Sequence, residues 1–130
     1  QPANTATLSF ADVANRTSFS TEQQVWEQNG VKLTNDKASS TSDVADYSAP
    51  ARFYKNSSIT VEGEKAMTKI VFACNNASYA TALQGSITSG TVAVDGSIVT
   101  VTLGSAATSY NIASLGAQVR MNSLTVYYAE

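Results

Sequence analysis

The chain contains no histidine, one cysteine and two prolines in 130 residues. Histidine is the commonest general base near neutral pH and the commonest metal ligand. Its absence removes Ser-His-Asp and Cys-His nucleophile pairs and histidine-based zinc sites together. A lone cysteine makes no intrachain disulfide, so Cys74 says nothing about redox compartment. Charged residues are also sparse, 14% of the chain with a net charge of −2. Lysine and arginine are scattered, without the basic stripe that a phosphate backbone demands, and no direct nucleic-acid partner is expected. No apolar run approaches the roughly 20 residues a spanning helix needs, so no membrane span is expected. A start at Gln1-Pro2 without methionine, lacking a signal-peptide pattern, reads as a trimmed or processed chain.

What is present is serine and threonine, about a quarter of the residues, set in period-two alternation. Low charge with that bias suits secreted or cell-surface β-domains, and an extracellular setting is expected. Ala6, Leu8 and Phe10 alternate with Thr7 and Ser9, Val31 and Leu33 with Lys32 and Thr34, and Ile59 and Val61 with Thr60 and Glu62. Val92 and Val94 lead into Asp95-Gly96, a two-residue hairpin signal, and Val99, Val101 and Leu103 return. Ser109 to Ile112 and Gln118 to Tyr128 read as closing strands. The apolar phase switches between Met121 and Leu124, which a bulge near Asn122-Ser123 would explain. Cys74 is in phase with Ile70 and Phe72 and belongs to the core face of its strand. Asn76 to Gln84 reads as one short helix, capped by an Asn or Ser and ended by Gly85. The stretch from Asn35 to Pro50 is a long irregular loop of the kind that tends to carry function. The length supports one domain, 1–130, with a single core. The expected fold is all-β, an antiparallel two-sheet β-sandwich with at most one short helix.

Residues 6–12 (ATLSFAD), 21–36 (TEQQVWEQNGVKLTND) and 51–61 (ARFYKNSSITV) resemble an accessory domain of secreted multidomain proteins from gut and rumen bacteria of the Bacteroidetes type. The final run, 118–127 (QVRMNSLTVY), is similar to that family's last strand, where an arginine followed by apolar alternation is usual. The resemblance spans essentially the whole chain. It implies a jelly-roll-like sandwich excised from a larger extracellular protein, such as a nuclease-like, phosphatase-like or glycan-degrading one. It brings no catalytic role and no defined ligand.

Four residues are candidates for ligand contact. If Phe53 points inward, Arg52 and Tyr54 emerge together on the opposite face of the same strand. A guanidinium offers donors to sugar hydroxyls or carboxylates, and a tyrosine ring can lie against a pyranose. Arg52 could equally clamp a loop carboxylate, Asp36, Asp43 or Asp46. Trp26 is either a core plug or, facing outward, a stacking platform, and alternation does not decide between them. Tyr47 is the aromatic of the long loop. Calcium would have Asp36, Asp43 and Asp46 available, but their spacing is no recognisable ligand pattern. Glu22, Glu27, Glu62 and Glu64 could be paired for glycoside hydrolysis, yet Glu62 and Glu64 bracket Gly63 in an apparent solvated turn. No catalytic residues, metal or cofactor are therefore assigned. The expected function is a non-catalytic, carbohydrate-binding accessory module whose partners are a polysaccharide or glycan and the neighbouring domains of the parent protein. The alternative is a structural or protein-interaction domain with no small ligand.

Overall fold

The computed structural model describes residues 4–44 and 50–129. Among these residues alternation becomes nine strands: β1 (Thr5–Ser9), β2 (Arg16–Phe19), β3 (Gln23–Gln28), β4 (Val31–Asp36), β5 (Ala51–Phe53), β6 (Ser58–Cys74), β7 (Thr91–Asp95), β8 (Ile98–Ile112) and β9 (Val119–Tyr128). A 3-10 turn at Val13–Asn15 precedes β2, and one helix, α1 (Ala77–Ser86), follows β6. Every strand pairing is antiparallel, and the strands form one curled sheet. The all-β class is as expected.

The curl comes from two long strands. The first part of β6 lies between β4 and the end of β8, with Glu62 opposite both Lys32 and Ser109. Its second part lies between β9 and the start of β8, with Ile70 opposite Val126 and Val101. Between these parts the register shifts twice, from Glu62 to Met67 and from Met67 to Lys69. The shifts move the inward phase from Ile59 and Val61 to Ile70, Phe72 and Cys74, so one strand keeps a single buried face around a bend. Gly63 sits at the bend because a side chain there would collide with Tyr128, whose Cε1 lies 2.7 Å from where a Cβ would be. Ser109 to Ile112 is thus the end of β8 and not a separate strand. Glu62 and Glu64 flank Gly63 within β6 and not in a turn, because β8 resumes its pairing with β6 beyond them, at Met67 opposite Ala107.

In β9 the expected phase switch is present. Ala73 pairs with Ser123 and Cys74 with Met121, so Asn122 is the extra residue, and its carbonyl accepts from the Phe10 amide at 2.9 Å. The β7–β8 hairpin forms one residue later than expected. Asp95 pairs with Ile98, leaving Gly96 and Ser97 as the loop, with Gly96 at φ 62°. Asn29 and Gly30, at φ 56° and 81°, turn β3 into β4 as an Asn-Gly pair does in a two-residue hairpin. The Asn76 carboxamide caps α1 by accepting from the amides of Ser78 and Tyr79. Gly85 does not end this helix. Ser86 continues it, donating to Ala82 O and accepting from Gly116 N, both at 2.9 Å, so the last turn is tied to the approach to β9.

The core is continuous from the helix residues Ala80 and Leu83 through Phe72, Ile70 and Val101 to Leu33, Val61 and Ile59. At one end Phe10 meets Trp26 edge-on at 5.1 Å and Phe53 at 5.7 Å, joining the chain after β1 to β3 and β5. At the bend, the Tyr128 hydroxyl is buried with no hydrogen-bond partner among the described residues. A hydroxyl stripped of water without compensation costs stability, so Tyr128→Phe should leave the fold as stable or up to about 1–3 kcal/mol more stable in urea unfolding. A clear loss of stability would mean that the hydroxyl is bonded in solution.

Candidate functional site

The outer edge of β5 is positioned by a buried polar chain. Gln24, Asn35 and Ser57 are 0%, 1% and 1% exposed. The Trp26 indole donates to Gln24 Oε1 at 2.9 Å, and Gln24 Nε2 donates to Asn35 Oδ1 at 3.1 Å and to the Arg52 carbonyl at 3.4 Å. Asn35 Nδ2 then donates to Ser57 Oγ at 3.1 Å and to the Ser58 carbonyl at 2.8 Å. Ser57 Oγ in turn donates to the Tyr54 carbonyl, which ties the turn after β5 to β4. The turn is pinned from the far side as well, since Asn56 N donates to Leu115 O at 2.8 Å and Leu115 N to Ser57 O at 3.0 Å. Asn56 completes it at φ 69°, a left-handed conformation that asparagine tolerates better than most residues.

On this frame Ala51 and Phe53 point inward, while Arg52 and Tyr54 are half-buried on the outer face. Arg52 faces Arg120 directly across the β5–β9 pair. Arg120 Nε donates to Gln118 Oε1 at 2.8 Å, and its guanidinium stands 5.3 Å from the Tyr79 ring centroid. Tyr54 and Gln118 also line an open cavity of about 420 Å³, with Ser40, Thr41, Ser42 and Asn56 on its other walls. Hydroxyls, carboxamides, a phenol ring and two guanidiniums thus share one surface. Such a set can exchange hydrogen bonds with a polyhydroxylated ligand and offers ring faces for its apolar side.

The four candidates fall differently. Arg52 and Tyr54 share the outer face. Trp26 is 0% exposed, its ring against Phe10 and its N–H against Gln24, so it presents no stacking surface and is a core residue. Tyr47 lies outside the described residues, as does Asp46. Arg52 is engaged in interactions of its own. Of its expected loop partners, Asp36 accepts from Gln23 Nε2 at 2.7 Å and Asp43 pairs with Lys37 at 3.2 Å. Arg120, Gln118 and Tyr79 were not singled out from the sequence as contacts. The even-numbered phase of Gln118 and Arg120, opposite to buried Val119 and Met121, was the available signal.

Glu27, Glu62 and Glu64 line a second concavity of about 320 Å³. Lys32 stands opposite Glu27 on one side and Glu62 on the other, and Thr17 Oγ1 donates to Glu27 Oε2 at 2.7 Å. None of the three carboxylates is buried. Glu22 is exposed elsewhere. Among the described residues no group of three or more acidic or cysteine side chains is gathered for a metal ion, and no helix is long and apolar enough to cross a membrane. Comparison with protein-family models, with curated proteins and with solved structures finds no match for this chain.

Cys74 is 2% exposed, and burial pushes its thiol from an ordinary value of 9.0 up to about 12. The unfolded chain deprotonates first as pH rises, so this group's contribution to stability is intact below about pH 9 and diminishes toward pH 12. Near neutral pH the thiol is neutral and enclosed. Labelling by a small thiol reagent at pH 8 should be at least about 100-fold slower in the native protein than in urea. Comparable rates in the two states would show that the strand does not bury Cys74.

Proposed function

We propose that the chain is a non-catalytic accessory module that binds carbohydrate on the outer face of β5 and β9, with Arg52, Tyr54 and the adjoining cavity as its contact surface. The observation that carries this reading is the open concavity lined by outward Tyr54 with Gln118, Asn56, Ser40, Thr41 and Ser42, beside the facing pair Arg52 and Arg120 on the same outer surface. Guanidinium and carboxamide groups give donors and acceptors for sugar hydroxyls, and half-exposed tyrosine rings give faces for pyranose C–H groups. Trp26 takes no part. On the same reading the curled sheet is a two-layer, jelly-roll-like sandwich, because the two parts of β6 and β8 join different strand sets around one core. The serine- and threonine-rich surface and the resemblance to Bacteroidetes accessory domains support a secreted or cell-surface bacterial setting, beside other domains of a parent protein. That carbohydrate binding accompanies this architecture is an analogy at the level of fold.

A second reading, a structural or protein-interaction domain without a small ligand, draws on the edge strand β2. Phe19 is 39% exposed there and Val13, just before it, 52%. Two substitutions separate the readings. Tyr54→Ala and Arg52→Ala should each weaken retention in glycan-containing native gels by about 5- to 50-fold, with melting temperatures near that of the wild type. If Arg52 serves only to clamp the loop, Arg52→Ala should instead destabilise the fold by about 1–3 kcal/mol, raise protease sensitivity between residues 35 and 50, and leave glycan retention unchanged.

A further inference from the structure

The arrangement around Arg120 narrows the ligand class. A half-buried guanidinium is ordinarily matched by a carboxylate, and Arg120 has none among the described residues. Its partners are the Gln118 carboxamide at Nε and the Tyr79 ring, whose centroid lies 5.3 Å from Cζ. These two contacts restrain the planar group and leave Nη1 and Nη2 without a partner among the described residues. Neither Nη atom is among the buried unpartnered atoms, so this edge is open to water. A guanidinium restrained at Nε and beside a ring, with its end-on fork open, is preorganised for two parallel N–H···O bonds to one carboxylate. Lys55, at the rim of the adjoining cavity, adds positive charge to the surroundings.

A tetrahedral anion would draw on a wider donor set, such as the free N–H groups of a helix N-terminus. Tyr79 brings the start of α1 to this surface, but Asn76 Oδ1 already takes the amides of Ser78 and Tyr79, at 2.9 and 3.2 Å. The planar fork is the principal feature that remains. We propose that Arg120 anchors a ligand carboxylate and that the glycan recognised here is acidic, built from uronic acid units. The proposal rests on the carbohydrate reading and specifies its substrate class.

The test is native electrophoresis in gels cast with polygalacturonate, with its methyl-esterified form, with dextran sulfate, or with the neutral polymers xylan and glucomannan. Polygalacturonate should retard the wild-type protein at least about tenfold more strongly than the esterified form does, the scale of a charge-assisted bidentate contact. Arg120→Gln should erase that preference. So should Arg120→Lys, which keeps the charge and loses the fork, in variants whose melting temperatures show that they are folded. Equal retardation by the acidic and esterified forms, or by the neutral polymers, would overturn the acidic assignment and leave the carbohydrate reading standing. A preference that survives in both variants would remove Arg120 from the site. Equal retardation by dextran sulfate would make this a general anion surface and overturn the carboxylate assignment. No retardation by any polymer would overturn the acidic assignment and the carbohydrate reading together.

Discussion

The hydrogen-bonded chain from Trp26 through Gln24 and Asn35 to Ser57 is what the outer surface depends on. The Trp26 indole N–H and the side chains of Gln24, Asn35 and Ser57 are taken out of water in a largely aromatic and aliphatic core, and their bonds cross from β3 to β4 and from β4 to the turn before β6. An unmet polar group at such depth costs about 1–3 kcal/mol, so the elements gain by holding the register in which all the bonds close. Gln24 and Asn35 are register partners across β3 and β4, and Asn35 stands opposite Ile59 of β6. One strand slipped by one residue would turn Gln24 or Asn35 to the outer face and break the chain. Because Gln24 also reaches the Arg52 carbonyl, and Ser57 the Tyr54 carbonyl, the same chain sets where the three-residue strand β5 lies.

A three-residue edge strand would otherwise be weakly held. Here it is backed by Phe53 in contact with Phe10, paired to β9 on one side, and stapled through Asn56 and Ser57 to Leu115. The outer face of β5 is thus held by the core: the inward residues Ala51 and Phe53 anchor it, and Arg52 and Tyr54 lie on the opposite side. The curl of β6 and β8 has the complementary role. It lets one sheet enclose a single core without an abrupt break in its ladder, and it collects Glu27, Glu62 and Glu64 at the bend, away from the arginines of β5 and β9.

Much of this order is legible in alternation alone. The burial of Cys74, the bulge at Asn122, the cap at Asn76 and the opposed faces of Phe53 against Arg52 and Tyr54 all follow from local phase and side-chain chemistry. What alternation misses has physical causes. Gln24 and Asn35 look like outward polar positions because polarity stands in for exposure, and only the tertiary bonds reveal them as core. The length of β6 is hidden by Gly63 between two glutamates, a composition that mimics a turn until Tyr128 is seen to occupy the space a side chain would need. The Asn29-Gly30 turn is readable by its residue types. Arg120 and Tyr79 come together only because α1 packs beside β9, which no local pattern encodes.

A double-mutant cycle on Gln24 and Asn35 measures the central interaction most directly. Gln24→Met and Asn35→Leu keep volume and remove the polar groups, each alone leaving buried partners unmet. Each single variant should lose about 1–3 kcal/mol in urea unfolding, and the pair should couple by about 1 kcal/mol or more. Strictly additive losses, within about 0.3 kcal/mol, would show that the two side chains act independently and that the chain does not hold β5 in place.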